Sequence, residues 1–259
     1  MPLTPPVVLT GTGLLDAHGA GSRYVLEGEQ VRRVGVLQRR RGGQRVDVVD
    51  GGGVRLCCEV AETYPGRLVL DVLERVVEPA PPVRLVLVQA LTMGHPDELA
   101  IEAATEAGVD DVVPWQARRS VVVWRGQRAA TSRAAWLAVV REATEHSRRA
   151  YVPAVTEPMD TPRLTDYVRG VLAAGGVAFV LHASAHASLA QAELPAPVPA
   201  GSPRVVLVVG PDGGIAEEEH EALTRAGATA VRLGPHVMST STAGPVAVAL
   251  LAQRLGRWV

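Results

Sequence analysis

Val205-Val206-Leu207-Val208-Val209 runs straight into Gly210-Pro211-Asp212-Gly213-Gly214, and Glu217-Glu218-Glu219 then opens a helical pattern. The same plan follows at once. Ala230 to Leu233 is apolar, Gly234-Pro235-His236-Val237-Met238-Ser239-Thr240-Ser241-Thr242 is a loop, and an apolar helix begins at about Ala243. Two successive strand–loop–helix units, both with loops that admit close backbone approach, put a ligand at the carboxyl ends of a parallel sheet.

The loops narrow the ligand. Gly210, Gly213 and Gly214 remove side chains where the backbone must turn or touch something, and amides at a helix start favour electronegative groups. A tight turn with no ligand would use the same glycines. No Lys-Ser/Thr follows them, so a triphosphate loop is excluded, and the G-x-G-x-x-G pattern of dinucleotide binding is missing. Glu217, Glu218 and Glu219 already complement the helix dipole and would repel a pyrophosphate. A ligand of low negative charge fits better, such as an adenosine bearing a sulfonium. Of the hydroxyls from Ser239 to Thr242, N-capping needs one, and the others face solvent or ligand. The helix beyond, up to Leu255, is apolar nearly all round, so the chain's own core or a second subunit must cover it on more than one side.

Outward from these loops, the chain divides at Glu78-Pro79-Ala80-Pro81-Pro82, a stiff linker. Before it, apolar runs at 7–9, 23–26, 45–49, 54–60 and 67–72 alternate with glycine turns, and a helix is expected at about 29–38. A small β-barrel is the expectation for 1–77. After it, strands (83–89, 111–114, 177–181 and a further one at 120–123) alternate with helices (96–108, 131–147, 163–174), with an Ala/Pro-rich loop at 183–202. That alternation predicts a parallel α/β domain over 83–259.

Composition agrees. Apolar residues are 47% and aromatics 3% of 259 residues, so Val, Leu and Ala fill the core, as in a parallel sheet covered on both faces. A net charge of −1 speaks against a surface that coats nucleic acid everywhere. All 26 basic residues are arginine, a choice that suits phosphate recognition or a GC-rich genome. Cys57 and Cys58 are neighbours on a strand, point to opposite faces and read as fillers in a reducing compartment, with no metal site expected. No apolar run reaches membrane-span length, and Met1-Pro2-Leu3-Thr4 lacks signal-peptide character, so a cytoplasmic protein is expected.

Val-Gly-Pro-Asp-Gly-Gly before an acidic helix, then Leu-Gly-Pro-His-Val-Met-Ser-Thr-Ser-Thr-Ala, resembles the SPOUT superfamily of knotted methyltransferases. Within it the chain looks like a divergent member of the bacterial family that methylates N3 of a uridine in small-subunit ribosomal RNA. Gln89-Ala90-Leu91, Glu98-Leu99-Ala100, Gly108-Val109, Val113-Pro114-Trp115 and the stretch from Arg141 to Pro153 resemble family segments in order. The resemblance implies a SPOUT-type parallel sheet with a C-terminal trefoil knot, a PUA-like N-terminal β-barrel that binds RNA, and a homodimer. It implies S-adenosylmethionine held by Leu181, His182, Gly210, Pro211, Gly213, Gly214, Leu233, Gly234, Val237, Met238, Ser239 and Ala243.

It also marks departures. Thr92-Met93-Gly94-His95 stands where the family carries a Lys, Ser239 where it carries an Arg, Asp212 for a Glu and His146 for a Gln. The usual His near the start of the N-terminal helix is absent from Gly28-Glu29-Gln30-Val31-Arg32. For chemistry, Arg149 would stabilise charge on the acceptor or grip phosphate, His146 would be a base or a surface histidine, and Ser241 would orient the target or cap the helix. Arg32, Arg39, Arg40 and Arg41 form the densest basic patch, for RNA phosphate or solvent. Three readings follow: a ribosomal RNA uridine methyltransferase, a paralogue with the same cofactor and another acceptor (RNA or a nucleoside-like metabolite), and a non-catalytic RNA-binding relic.

Overall fold

The computed structural model describes residues 5–28, 30–31, 43–198 and 201–258. It divides into two compact units: Met1–Ala80 with Arg141–Val152, and Pro81–Val140 with Pro153–Val259. The expected basic patch at Arg32, Arg39, Arg40 and Arg41 lies outside the described residues, as does most of the expected first helix.

The first unit is a five-stranded sheet. Its strands are β1 (Val7–Leu9), β2 (Arg23–Glu27), β3 (Arg45–Val49), β4 (Val54–Tyr64) and β5 (Arg67–Val77), in the order β1-β3-β4-β5-β2. All pairs are antiparallel except β1 with β3. Strands β4 and β5 outrun the apolar segments read from sequence, because a hairpin continues through polar residues once its register is set. Leu56, Cys58 and Val60 alternate inward to meet Val46, Val48, Leu68 and Leu70. Cys57 takes the other face of the strand, and burial pushes the Cys58 thiol up to about 12. Strands β1 and β2 are opposite edges, so the described strands form an open half-barrel instead of a closed one.

The segment Arg141–Val152 joins this unit through specific contacts. Glu145 Oε1 accepts from the Leu9 amide at 2.8 Å, and Ala150 and Val152 pack on Val7, Leu9 and Val49. Tyr151 covers the turn at Gly53, where φ is +102° and an added Cβ would come within 2.4 Å of its ring. The Tyr151 hydroxyl donates to the Glu78 carbonyl at 2.8 Å.

The second unit is built on a seven-stranded parallel sheet. Its strands are β6 (Arg84–Ala90), β7 (Asp111–Gln116), β8 (Ala154–Val155), β9 (Met159–Asp160), β10 (Val177–Leu181), β11 (Arg204–Val209) and β12 (Thr229–Val231). The order is β12-β10-β11-β6-β7-β8, with β9 also on β7. Helices α1 (Pro96–Ala107), α2 (Gln127–Ser147), α3 (Thr161–Ala173), α4 (Glu217–Arg225) and α5 (Thr240–Arg254) are interleaved with the strands. Residues 127–140 of α2 fall in this unit and 141–147 in the first. Strands β6 and β11 sit at the centre and are buried along nearly their whole length, as their unbroken Val/Leu runs require.

Two boundaries differ from the sequence reading. Residues 120–123 form no strand: the Gln116 side chain donates to the Val122 carbonyl (2.8 Å) and accepts from the Trp124 amide (3.0 Å), so one side chain supplies the bonds a ladder would have made. Helix α5 starts at Thr240, one turn before Ala243. It packs on α1 and on β6, and Gly244 lets it approach: an added Cβ would lie 3.1 Å from Leu87. Just past α5, the Arg257 guanidinium clips buried Asp110 (2.6 Å) and reaches the carbonyls of Gly108 (2.8 Å) and Val83. Asp110 also accepts from the Leu85 amide at 2.7 Å. No helix among the described residues is long and apolar enough to cross a membrane.

Candidate functional site

Strands β10, β11 and β12 are neighbours, so their carboxyl-end turns come together. They enclose a cavity of about 590 Å³, lined by residues 181–184, 209–212 and 232–240 with Gly214, Ile215, Ala243 and Arg119. Every lining residue belongs to the second unit.

The first loop is shaped by sterics. An added Cβ at Gly210 would meet Ile215 Cγ1 at 2.6 Å, so no larger residue fits without displacing Ile215. The Gly214 amide donates to the Pro211 carbonyl at 2.8 Å, closing a turn whose last residue has φ +73° and therefore favours glycine. The second loop is tied to the first: buried Thr240 donates its hydroxyl to the Gly210 carbonyl at 3.3 Å. Gly234 lines the cavity, and a Cβ there would meet nothing within 4 Å, so main chain is left bare toward the space.

The four hydroxyls behave differently from expectation. Ser239 stands at the N-cap position, yet its side chain caps no amide. It donates to Thr242 Oγ1 at 2.9 Å and lies 3.0 Å from Ser241 Oγ. The reason is the earlier helix start, which puts Thr240, Ser241 and Thr242 in the first turn, where the hydroxyls of Ser241 and Thr242 meet that of Ser239 and the Thr240 hydroxyl reaches the Gly210 loop.

The acidic triplet also divides. Glu219 is buried: its carboxylate accepts from the Thr161 hydroxyl (2.5 Å), the Arg118 amide (2.9 Å) and the Ala216 amide (3.4 Å). Thr161 in turn accepts from the Trp115 indole at 3.2 Å. Glu219 thus fastens the start of α4 to β7 and α3 and is not a free charge beside the cavity. Exposed Glu218 pairs with Arg118 at 2.9 Å; its own amide and Arg118 hold its carboxyl below the usual range.

The cavity wall carries the guanidiniums of Arg119 and Arg232, the imidazoles of His182 and His236, and the carboxylate of Asp212. His182 Nδ1 lies 2.8 Å from Ser184 Oγ, and its ring tilts over His220 with centroids 4.9 Å apart. Among the residues named from sequence, Leu181, His182, Gly210, Pro211, Gly214, Leu233, Gly234, Val237, Met238, Ser239 and Ala243 line this one space. Gly213 does not; the stem of Arg119 lies 3.5 Å from where its Cβ would be. Ser241 is adjacent through Ser239. His146, in the last turn of α2, and Arg149 belong to the first unit and are not cavity residues. Arg148 adopts φ +63° just after α2 ends, and Arg149 follows that bend outside the helix.

Arg119, Arg232 and His236 were not singled out by sequence. The available signal was positional: Arg119 follows β7 by three residues, at the same carboxyl edge as the glycine loops. Among the described residues, no three His, Cys, Asp or Glu are grouped to hold a metal.

Comparison with known proteins places this geometry in context. A family model described as RNA methyltransferase domain matches residues 79–252. The Ribosomal RNA small subunit methyltransferase E of Mycobacterium tuberculosis is 42% identical over 240 residues, covering 92% of this chain and 89% of that protein. The protein of the same name from Bacillus subtilis is 28% identical over 225 residues, covering 85% and 86%. At such identity the qualifier "divergent", expected from the substituted positions, is not needed. The fold is shared with the crystal structure of a Ribosomal RNA small subunit methyltransferase E from Neisseria gonorrhoeae bound to S-adenosyl methionine. That match has a TM-score of 0.81 at 24% identity and covers 97% of this chain and 98% of the other.

Proposed function

The chain belongs to the RNA methyltransferase domain family, and on that premise we propose that it transfers the methyl group of S-adenosylmethionine to N3 of a uridine in small-subunit ribosomal RNA. The observation that carries the reading is the single cavity formed by three consecutive carboxyl-end turns. Its volume lies within the roughly 300–1,000 Å³ of small-molecule sites. The residues suit the cofactor. Main-chain groups at Gly210, Leu233 and Gly234 and the hydroxyl of Ser239 offer hydrogen bonds without a strong net charge, and the missing Cβ at Gly234 leaves room for a ring to lie against backbone.

The cofactor, when bound, supplies an electrophilic methyl group on a positively charged sulfur. This chain's residues hold and orient. Leu181, His182, Gly214, Val237 and Met238 would enclose the nucleoside, and Pro211 and Ala243 would close it off from water. The acceptor nitrogen is a weak acid, so its proton must leave or the charge that develops must be met by a fixed cation or donor. Ser241, beside the cavity residue Ser239, is our proposal for that step, with Arg149 and His146, which lie outside the cavity lining, as the further candidates.

Finer features belong to the same proposal. Helix α5 returns from the edge strand β12 to lie against central β6 and β11, which supports a trefoil-knotted tail. Val246 on α5 remains exposed, in keeping with a homodimer that covers it. The first unit would be a PUA-like RNA-binding module, and the protein would work in the cytoplasm, where ribosomal subunits are its substrate. The test is to incubate the protein with labelled cofactor and subunits from a strain lacking its gene, then map the RNA by mass. A methyl group on one uridine is expected. Cofactor binding with methylation of another RNA or a nucleoside would favour the paralogue, and no cofactor binding at millimolar concentration would overturn the enzyme altogether.

A further inference from the structure

The family resemblance puts an arginine where this chain has Ser239, yet the cavity is not short of cations. Arg119 reaches it from the turn after β7. That turn is built rigidly. The Ser120 amide closes it on the Ala117 carbonyl at 3.0 Å, the Arg118 amide is anchored on buried Glu219, and the Arg118 side chain is paired with Glu218. The Arg119 stem lies over Gly213, and Nη1 donates to the Gly213 carbonyl at 2.9 Å. One donor of the fork is thus used to fix the group, while the side chain stays exposed at the cavity rim. Arg232, also in the cavity lining, is tied to the fold by main-chain bonds to Ala187 and Leu189.

A guanidinium held at the mouth of a site, exposed and pre-oriented, is suited to two oxygens of a phosphate arriving from solvent. Among the described residues that line the cavity, Asp212 is the one carboxylate. We propose that Arg119 is the phosphate-binding residue that seats the target nucleotide of the RNA beside the methyl donor, supplying from the β7 turn the cation that position 239 lacks. The arginine lies across the loop in van der Waals reach of Gly213 and Gly214, whose added Cβ atoms would sit 3.5 Å and 3.7 Å from it. The proposal rests on the methyltransferase reading above.

The experiment compares wild type, Arg119→Ala and Arg119→Lys in cofactor calorimetry, and in methylation of small subunits over a salt series. For Arg119→Ala, cofactor affinity should hold within about twofold while KM for the subunit rises roughly tenfold, the loss of about one charged contact. The slope of log KM against log salt should fall by about 0.7, as one phosphate contact is lost from single-stranded RNA. Arg119→Lys should keep the salt slope and recover part of KM, because charge survives and the fork does not. A drop in cofactor affinity with an unchanged salt slope would overturn the proposal and assign Arg119 to the cofactor's carboxylate. Unchanged KM and slope would also overturn it. If wild type itself transfers no methyl group, the underlying reading has failed and not this residue's role.

Discussion

Two glycine-rich bends in this molecule look alike in sequence and do opposite things. In the first unit, the bend at Gly51-Gly52-Gly53 is filled: the Tyr151 ring occupies the place a side chain at Gly53 would take. In the second, the bend at Gly234 borders open space of about 590 Å³ and a Cβ there would meet nothing, while Gly210 in the same cavity wall is packed against Ile215. Glycine in a sequence therefore reports a missing side chain and nothing about what replaces it. A residue nearly a hundred positions away decides between a packed turn and a binding site. The first bend stabilises the fold; the second leaves main chain exposed to a ligand.

Substitutions can sharpen or break that contrast. The largest effect should come from Gly53→Ala, which meets Tyr151 at 2.4 Å and must hold φ +102°; it should cost about 3 kcal/mol in urea unfolding and leave cofactor affinity alone. Glu219→Ala should cost about 2 kcal/mol, since the Thr161 hydroxyl and the Arg118 amide lose a buried acceptor. Gly210→Ala, pressed against Ile215, should cost about 1 kcal/mol in stability and weaken the cofactor roughly tenfold by calorimetry. Gly234→Ala meets nothing, so stability should stay within about 0.5 kcal/mol while affinity drops a few-fold. If Gly234→Ala destabilised the fold and spared affinity, the distinction between filled and open bends would be lost. The smallest effect concerns the thiols. Burial raises Cys58 to about 12 and Cys57 in the same direction, so fewer thiolates form below pH 9 than in a free cysteine. Alkylation of the folded protein should be slow at pH 7 and rise by about tenfold per pH unit with no plateau up to pH 9, as expected of thiols that titrate above that range.

The parallel sheet was legible because periodicity and turn chemistry agree over 83–259: valine runs set buried strands, and glycine and proline set their ends. The cavity loops were legible for the same reason, being short and contiguous. What escaped was long-range. That Glu219 turns inward to Thr161, or that Gln116 replaces a strand at 120–123 with side-chain bonds, depends on partners brought close only by the fold. The first strand β1 pairs parallel with β3, which no local pattern announces. Arg119 was overlooked because it is one arginine among 26, and only its place at the carboxyl edge distinguishes it.

The clip made by Arg257 has a consequence for biosynthesis. Asp110 and the Val83 carbonyl leave the ribosome long before the guanidinium that satisfies them exists. Until then a buried carboxylate would stand without its cation, a deficit of roughly 3–5 kcal/mol. A nascent chain that does not yet include Arg257 lacks this clip, so protease resistance of the sheet should rise sharply when Arg257 is added and not accumulate strand by strand.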